Sequence, residues 1–542
     1  MQTRTAALAP IEPRPRTRTG ATWATVAILV TFAVVGLLAS RPGSPLTPPL
    51  FQGAGAPSFL VRLTEVLGLD LLSRNAIGVL AAVALLAAAG AFVYALRRAW
   101  NGELTLRRIL LVAVILHLFA MVIPLFLSRD VYSYAMYGRM VSVYSVNPYV
   151  DIPASFIDDP VYPLVSVDWI DSPSVYGPAF VAVSAGITEL VTSPPLMVVA
   201  FKGLAAVASL GTMLLAAAGA RRIRPERAAF AALLVGWNPV IVFHGVAGGH
   251  NDALVGLALA AGVFLILSGR ELWATAVMVL GTLVKVSGGV PLAIAVLAAV
   301  FRKPKGQRLR AFAVHAGVGV AVALPFIVPF EQTSDPTLGT LELTSRQGWL
   351  APSRFVLVIL RGAANFLGGD LAGDIVSVIV RVVFPLVFVV TLVALVRHLA
   401  GDPSRIEPPL VVAAMGWATL IALMISPLLY PWYAMWLVPV VWLLPKRGRD
   451  GAVLICVALA ITELVAEPSR APAVWEAMIF GLHYVATPVV LFVLVRLLLD
   501  LRRRLRLGPA GGWEDPLLLE EAPAGLRRGL QPRWRRPRAA AT

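Results

Sequence analysis

The chain returns repeatedly to uninterrupted apolar stretches of 18 to 26 residues. Each is long enough to cross the hydrocarbon core of a bilayer as a helix. Inside lipid every backbone amide must find its partner within the protein, and such continuous apolar runs can do that only as helices. The fold class expected is therefore an all-α polytopic membrane protein. Composition agrees: 14% of the 542 residues are charged and mean hydropathy is +0.80, far from a soluble domain. A soluble enzyme, a nucleic-acid reader and a disulfide scaffold are excluded. The sole cysteine, Cys456, lies inside an apolar run, so no disulfide forms within the chain.

Candidate spans are 23–40, 76–96, 109–127, 195–219, 228–246, 251–268, 311–330, 371–396, 409–429, 432–444, 451–466 and 478–499. The stretch 271–301 is too long for one span and carries Ser287-Gly288-Gly289 and Pro291, which break helical hydrogen bonding. It reads as two short helices or a re-entrant hairpin, and 176–193 as a juxtamembrane helix. The total expected is 12 to 14 transmembrane helices. Lys and Arg set the orientation. With the N-terminus inside, 33 basic residues fall in the cytoplasm, 9 outside and 4 within spans. The net charge of +16 is thus a topological signal, and no nucleic-acid partner is expected. The domains expected are a cytoplasmic tail over 1–22, a membrane domain over 23–500 and a basic cytoplasmic tail over 501–542. The last carries 10 Arg and suits anionic membrane lipid. The first span is too long for a cleavable signal peptide.

Two outer loops are long, 128–175 and 331–370. The first opens Ser128-Arg129-Asp130-Val131-Tyr132-Ser133-Tyr134, with Arg139, Asn147-Pro148-Tyr149 and Tyr176-Gly177-Pro178 following. Asp130 stands just beyond the outer end of a span. Partial desolvation there raises a carboxyl pKa and an arginine lowers it, a balance that suits a base acting on a hydroxyl. The bland alternative is an interfacial Arg-Asp pair that ends the helix. The tyrosines suit an aromatic belt or sugar binding. Asp158-Asp159 reads as a solvated turn.

A second constellation is His244 to Asp252, ending Gly249-His250-Asn251-Asp252 at a helix start. Capping is its simplest role, yet polar groups on a tight outer turn are costly in a membrane protein. Two His separated by six residues make no strong metal signal, and no metal or cofactor is expected. A third is Tyr430-Pro431-Trp432-Tyr433, with Trp436 following. Lys285 lies in the broken stretch with no acid within seven residues. A lipid phosphate would compensate it, as would a pair with Glu463 or Asp374 or backbone carbonyls. Lys202 raises the same question.

In this order and on this topology, the motifs at 128–134, 147–149, 176–178, 249–252 and 430–433 resemble the GT-C glycosyltransferases of actinobacteria. The nearest are the polyprenol-phosphate-mannose-dependent alpha-mannopyranosyltransferases of lipomannan core biosynthesis. The resemblance covers roughly 75–500, and the pair of spans before the catalytic loop is extra relative to the simplest members. It implies a GT-C fold with an extracytoplasmic catalytic loop in the bacterial plasma membrane. It also implies a polyprenyl-phosphate-mannose donor, a glycolipid or mannan acceptor, and a loop Asp as base, which maps onto Asp130. Arg129, Tyr132, Arg139, Tyr176, His250, Asn251, Asp252, Lys285, Arg346, Tyr430, Trp432 and Tyr433 are the expected substrate-binding residues. Arg129, Arg139, Lys285, Arg346 and Arg354 are cations that could meet the departing phosphate. The competing classes are a transporter or flippase of a lipid-linked saccharide, which needs charges deep in several spans, and a lipid-linked polysaccharide polymerase or ligase.

Overall fold

The structure, a computed structural model, describes residues 18–330, 351–401, 406–465, 471–481, 484 and 487–506. Arg346 and the basic tail beyond 506 lie outside the described residues, as does the side chain of Glu463. No β-strand occurs among the described residues. In chain order the helices are α1 (Arg18–Ser40), α2 (Ser58–Val66), α3 (Arg74–Trp100), α4 (Leu106–Val122), α5 (Asp130–Ser142), α6 (Pro178–Leu190), α7 (Pro194–Ile223), α8 (Ala228–Gly236) and α9 (Asp252–Ile266). They continue with α10 (Glu271–Val284), α11 (Gly289–Phe301), α12 (Arg308–Ile327), α13 (Pro352–Gly401), α14 (Pro408–Ile425), α15 (Lys446–Leu459), α16 (Pro472–Gly481) and α17 (Thr487–Arg506).

Local chemistry explains the boundaries. Ser73 caps α3 by accepting from the Ala76 N–H at 3.2 Å, and Arg97 and Arg98 in its last turn complement the helix dipole. Thr105 caps α4 in the same way, accepting from the Arg108 N–H at 3.3 Å. A stripe of buried alanines at 81, 84, 88, 91, 95 and 99 lets α3 approach α1 closely, the packing that apolar helices use where lipid offers no hydrophobic drive. Elsewhere α5 packs on α6, α7 on α8 and α9, and α9 on α10.

Among the described residues six helices are long and apolar enough to cross a membrane, or seven if the pair Pro225–Gly236 and Val240–Ala247, bent by 47°, is one span. The sequence led to an expectation of 12 to 14. Part of the difference lies in short elements: in the expected spans 109–127, 251–268 and 451–466 the helices Leu106–Val122, Asp252–Ile266 and Lys446–Leu459 run only 17, 15 and 14 residues. The break expected in 271–301 is present: α10 ends at Val284, and Lys285 leaves the helix with φ −157° and ψ 132°. The expected span 432–444 is instead two 3-10 segments, Pro431–Trp436 and Val438–Leu443. Pro431 and Pro439 account for this by removing donors from an α-helical ladder.

Loops that the charge pattern puts on one side meet in space. Arg227 stacks over Trp100 at 3.3 Å and Arg449 lies over the same ring at 4.0 Å, joining 97–108, 220–227 and 445–450 at one end of the bundle. The constellations of 128–134, 249–252 and 430–436 meet in a separate cluster.

Candidate active site

Asp130 is the first residue of α5, reached from α4 through Ile123–Arg129. Its own N–H donates to Ser128 Oγ at 3.1 Å. With a helical period, Asp130, Tyr134 and Tyr137 share one face of α5. The carboxylate keeps 21% of its side-chain surface and lies 3.6 Å from Nδ1 of His250. Burial pushes its pKa up from 3.8 to about 6; the Lys285 cation opposes that rise, Asp252 adds to it, and the Ser128 contact lowers it.

The His250 turn is built by a helix of unusual width. Pro239 interrupts the ladder after α8, and Val240–Ala247 continues as a π-helix, a form that recurs at functional sites. It closes on Gly248-Gly249, where His250 N–H donates to Gly245 C=O at 2.8 Å. Gly249 has φ +67°, and a Cβ there would come 2.6 Å from the Val131 side chain, so only glycine brings this turn against α5. His250 is buried, and its pKa falls well below the usual range, from burial first and then from the Lys285 charge. The neutral ring stacks on Trp432 with centroids 3.7 Å apart, and Trp432 stacks on Tyr430 at 4.8 Å. Tyr134 donates its hydroxyl to Asn251 Oδ1 at 3.3 Å and lies 3.4 Å from His250 Nδ1.

Asp252 opens α9 and is fully buried. Lys285 Nζ donates to both of its oxygens, at 2.9 and 3.1 Å, and Trp436 Nε1 donates to Oδ1 at 2.6 Å. Lys285 also sits 4.7 Å over the Tyr433 ring. Its partner is therefore Asp252, 33 residues away; Asp374 is paired with Arg361 at 3.0 Å instead. Tyr176 packs edge-on against Tyr134 at 4.9 Å, and Gly177 N–H donates to Val284 C=O at 3.0 Å. A Cβ on Gly177 would collide with the Leu283 carbonyl, so this glycine ties the loop 128–175 to the residue before Lys285. A cavity of about 300 Å³ adjoins the Lys285 pair. It is lined by Lys285, Tyr433 and Trp436 together with Val290 of α11, Phe388 of α13 and Ile425 of α14.

The structure thus brings together Asp130, Tyr176, His250, Asn251, Asp252, Lys285, Tyr430, Trp432 and Tyr433, with Arg129 immediately before Asp130. Two expected binding residues are engaged elsewhere. Arg139 lies nine residues further along α5, about 13 Å at the helical rise, and its Nε donates to Asp159 Oδ2 at 2.8 Å. Asp159 is 1% exposed and also accepts from Tyr144 at 2.9 Å and from the Val161 N–H at 2.8 Å. It is a buried anchor of the loop fold, not the solvated turn expected. Tyr132 is fully buried and donates its hydroxyl to the Pro49 carbonyl at 2.7 Å. Trp436, absent from the expected site residues, is integral to it. Its place in the aromatic run Tyr430–Trp436, four residues after Trp432, was the available signal. Among the described residues no three His, Cys, Asp or Glu side chains come together in a way that could hold a metal ion.

Residues 50–301 match the family model described as alpha-(1->6)-mannopyranosyltransferase, N-terminal domain. The resemblance read from the motifs holds. The chain is 25% identical over 324 residues to alpha-(1->6)-mannopyranosyltransferase A of Mycobacterium tuberculosis, covering 58% of this chain and 60% of that one. It is 31% identical over 183 residues to alpha-(1->6)-mannopyranosyltransferase A of Corynebacterium glutamicum, covering 32% and 36%. With alpha-(1->6)-mannopyranosyltransferase B of the same organism it shares 25% over 341 residues, covering 58% and 54%. The alignments thus span less than two thirds of these relatives' lengths. No solved structure matches significantly. The mannopyranosyltransferase-like domain holds Asp130, Tyr176, the His250–Asp252 turn and Lys285, whereas Tyr430, Trp432, Tyr433 and Trp436 come from beyond it.

Proposed function

We propose that the protein is an integral-membrane mannosyltransferase. It would move a mannosyl residue from polyprenyl-phosphate-mannose to a glycolipid or mannan acceptor on the outer face of the plasma membrane, with inversion and with Asp130 as general base. The observation that carries this reading is the juxtaposition of one partly exposed carboxylate with a partly buried cation that lines an apolar cavity. The names of the relatives support the sugar. The cavity suits a prenyl chain, and Lys285, in its lining, suits the phosphate that chain carries.

In the proposed reaction the acceptor hydroxyl oxygen attacks the anomeric carbon as the bond from that carbon to the phosphate oxygen breaks. The hydroxyl proton passes to Asp130, and polyprenyl phosphate leaves with the bonding electrons. This is the logic of an inverting glycosidase with an alcohol in the place of water. A carboxyl with a pKa of about 6 is ionised at neutral pH and more basic than a free aspartate. Neutral His250, stacked on Trp432, faces the carboxylate at 3.6 Å. Membranes containing the protein, given radiolabelled polyprenyl-phosphate mannose and short mannoside acceptors, should form an elongated mannoside. Absence of transfer with folded protein in the membrane counts against the reading.

The raised pKa fixes the sign of the pH dependence. Only ionised Asp130 accepts a proton, so kcat/KM should rise with pH through an apparent pKa of about 6 and level off above it. A profile flat from pH 5 to 8 would exclude Asp130 as the base.

The sidedness has its own test. In a Cys456→Ala background, Val150→Cys and Asp158→Cys occupy exposed positions of the first outer loop, and Asn101→Cys an exposed position of the opposite side. An impermeant maleimide should label the first two on intact spheroplasts and Asn101→Cys only after lysis. The opposite pattern inverts the topology.

A further inference from the structure

The catalytic reading leaves the connection between α1 and α3 without a task. Its first residues, 41–51, cross the segment that carries Asp130 and hold it at two points. Leu46 C=O accepts from the Leu127 N–H at 2.8 Å, and Pro49 C=O accepts from the Tyr132 hydroxyl at 2.7 Å. The Phe51 ring meets the Tyr132 ring edge-on at 5.3 Å. The connection is itself tied down. Ser44 Oγ donates to Leu38 C=O at 2.6 Å, accepts from the Leu46 N–H at 3.2 Å, and Leu46 is fully buried. The two anchors bracket Asp130, one three residues before it and one two residues after.

Leu127 has φ +57°, the left-handed region that a leucine avoids. Its neighbours are pinned as well. Phe126 N–H donates to Ala247 C=O at 3.2 Å, in the π-helix that leads to His250, and Ser128 N–H donates to Phe126 C=O at 2.7 Å. A leucine held at positive φ between bonds to two remote segments has its conformation imposed by its surroundings. Leu46 and Pro49 precede the residues that match the family model, so the comparison gives them no role.

We propose that residues 41–51 are a positioning strap. Through Leu46 and Pro49 they fix the backbone of Leu127–Asp130 against the His250 turn, so that the Asp130 carboxylate is presented in a single geometry. The strap touches no reacting atom and acts through Asp130, so its effect on rate rests on the reading of Asp130 as base. Its effect on the backbone does not.

Tyr132→Phe removes one anchor and keeps the ring packing. The expected result is a fall in kcat of about tenfold, the worth of one buried hydrogen bond, with donor and acceptor KM unchanged. Amide hydrogen exchange at Leu127, followed by mass spectrometry on the purified full chain, should quicken by a similar factor. Leu127→Gly added to Tyr132→Phe should restore kcat by several-fold, because glycine takes positive φ without support. Unchanged exchange at Leu127 together with unchanged kcat in Tyr132→Phe overturns the strap. So does a variant that loses thermal stability while its folded fraction keeps wild-type kcat. A wild-type protein that transfers no sugar would count against the base reading alone, and exchange at Leu127 would still decide the strap.

Discussion

An Asp130→Asn variant is expected to transfer sugar at least about 10²-fold more slowly than wild type while unfolding at the same or a higher temperature at pH 8. The first half follows from losing the base. The second follows from linkage. The folded-state pKa of Asp130 is raised from 3.8 to about 6, so its contribution to stability is fully present below pH 4 and is lost as pH rises through 6. Above that pH the ionised carboxylate costs the fold about 3 kcal/mol, roughly two pKa units. Asparagine cannot ionise and is free of that cost. Donor binding should persist, because Lys285 is untouched. Turnover near wild type in this variant would remove Asp130 from the mechanism.

The second large effect concerns Lys285. Lys285→Met alone strips a buried carboxylate of its cation, and breaking such a pair costs about 3–5 kcal/mol, so a lower melting temperature is expected and is uninformative about phosphate. The decisive variant is Asp252→Asn with Lys285→Met, in which neither charge remains and Trp436 still has an oxygen to donate to. Stability should recover largely, while kcat/KM for the lipid-phosphate donor stays down by about 10²-fold, as for the loss of one charged contact to a developing phosphate. Wild-type donor kinetics in the double variant would confine Lys285 to a structural role.

What could be read in the chain and what could not have separate physical causes. The break at Lys285 was legible because Ser287-Gly288-Gly289 and Pro291 act through the local backbone, and such residues carry their meaning wherever the chain goes. The pairing of Lys285 with Asp252 was not, because the two meet through the antiparallel packing of α9 and α10 and nothing in a 33-residue separation encodes that register. Arg139 and Tyr132 were placed with the substrate because residue type alone says nothing of the direction a side chain takes. The helical period held part of the answer: Tyr134 shares a face with Asp130, and Tyr132 points about 200° around the helix from it. The apolar stretch 432–444 had the composition of a span. Pro431 just before it and Pro439 within it were the sign that it would instead fold as tight turns.

The stacking of Trp432 on His250 and the bond from Trp436 to Asp252 bear on modularity. Similarity to the mannopyranosyltransferase domain ends at residue 301, yet a polypeptide stopped there would leave a histidine with a bare face and a buried carboxylate short of a donor. The segment beyond the matched domain is therefore bound to that domain through the candidate site itself. Any exchange of C-terminal halves between this chain and its relatives has to carry the Tyr430–Trp436 segment along with the rest.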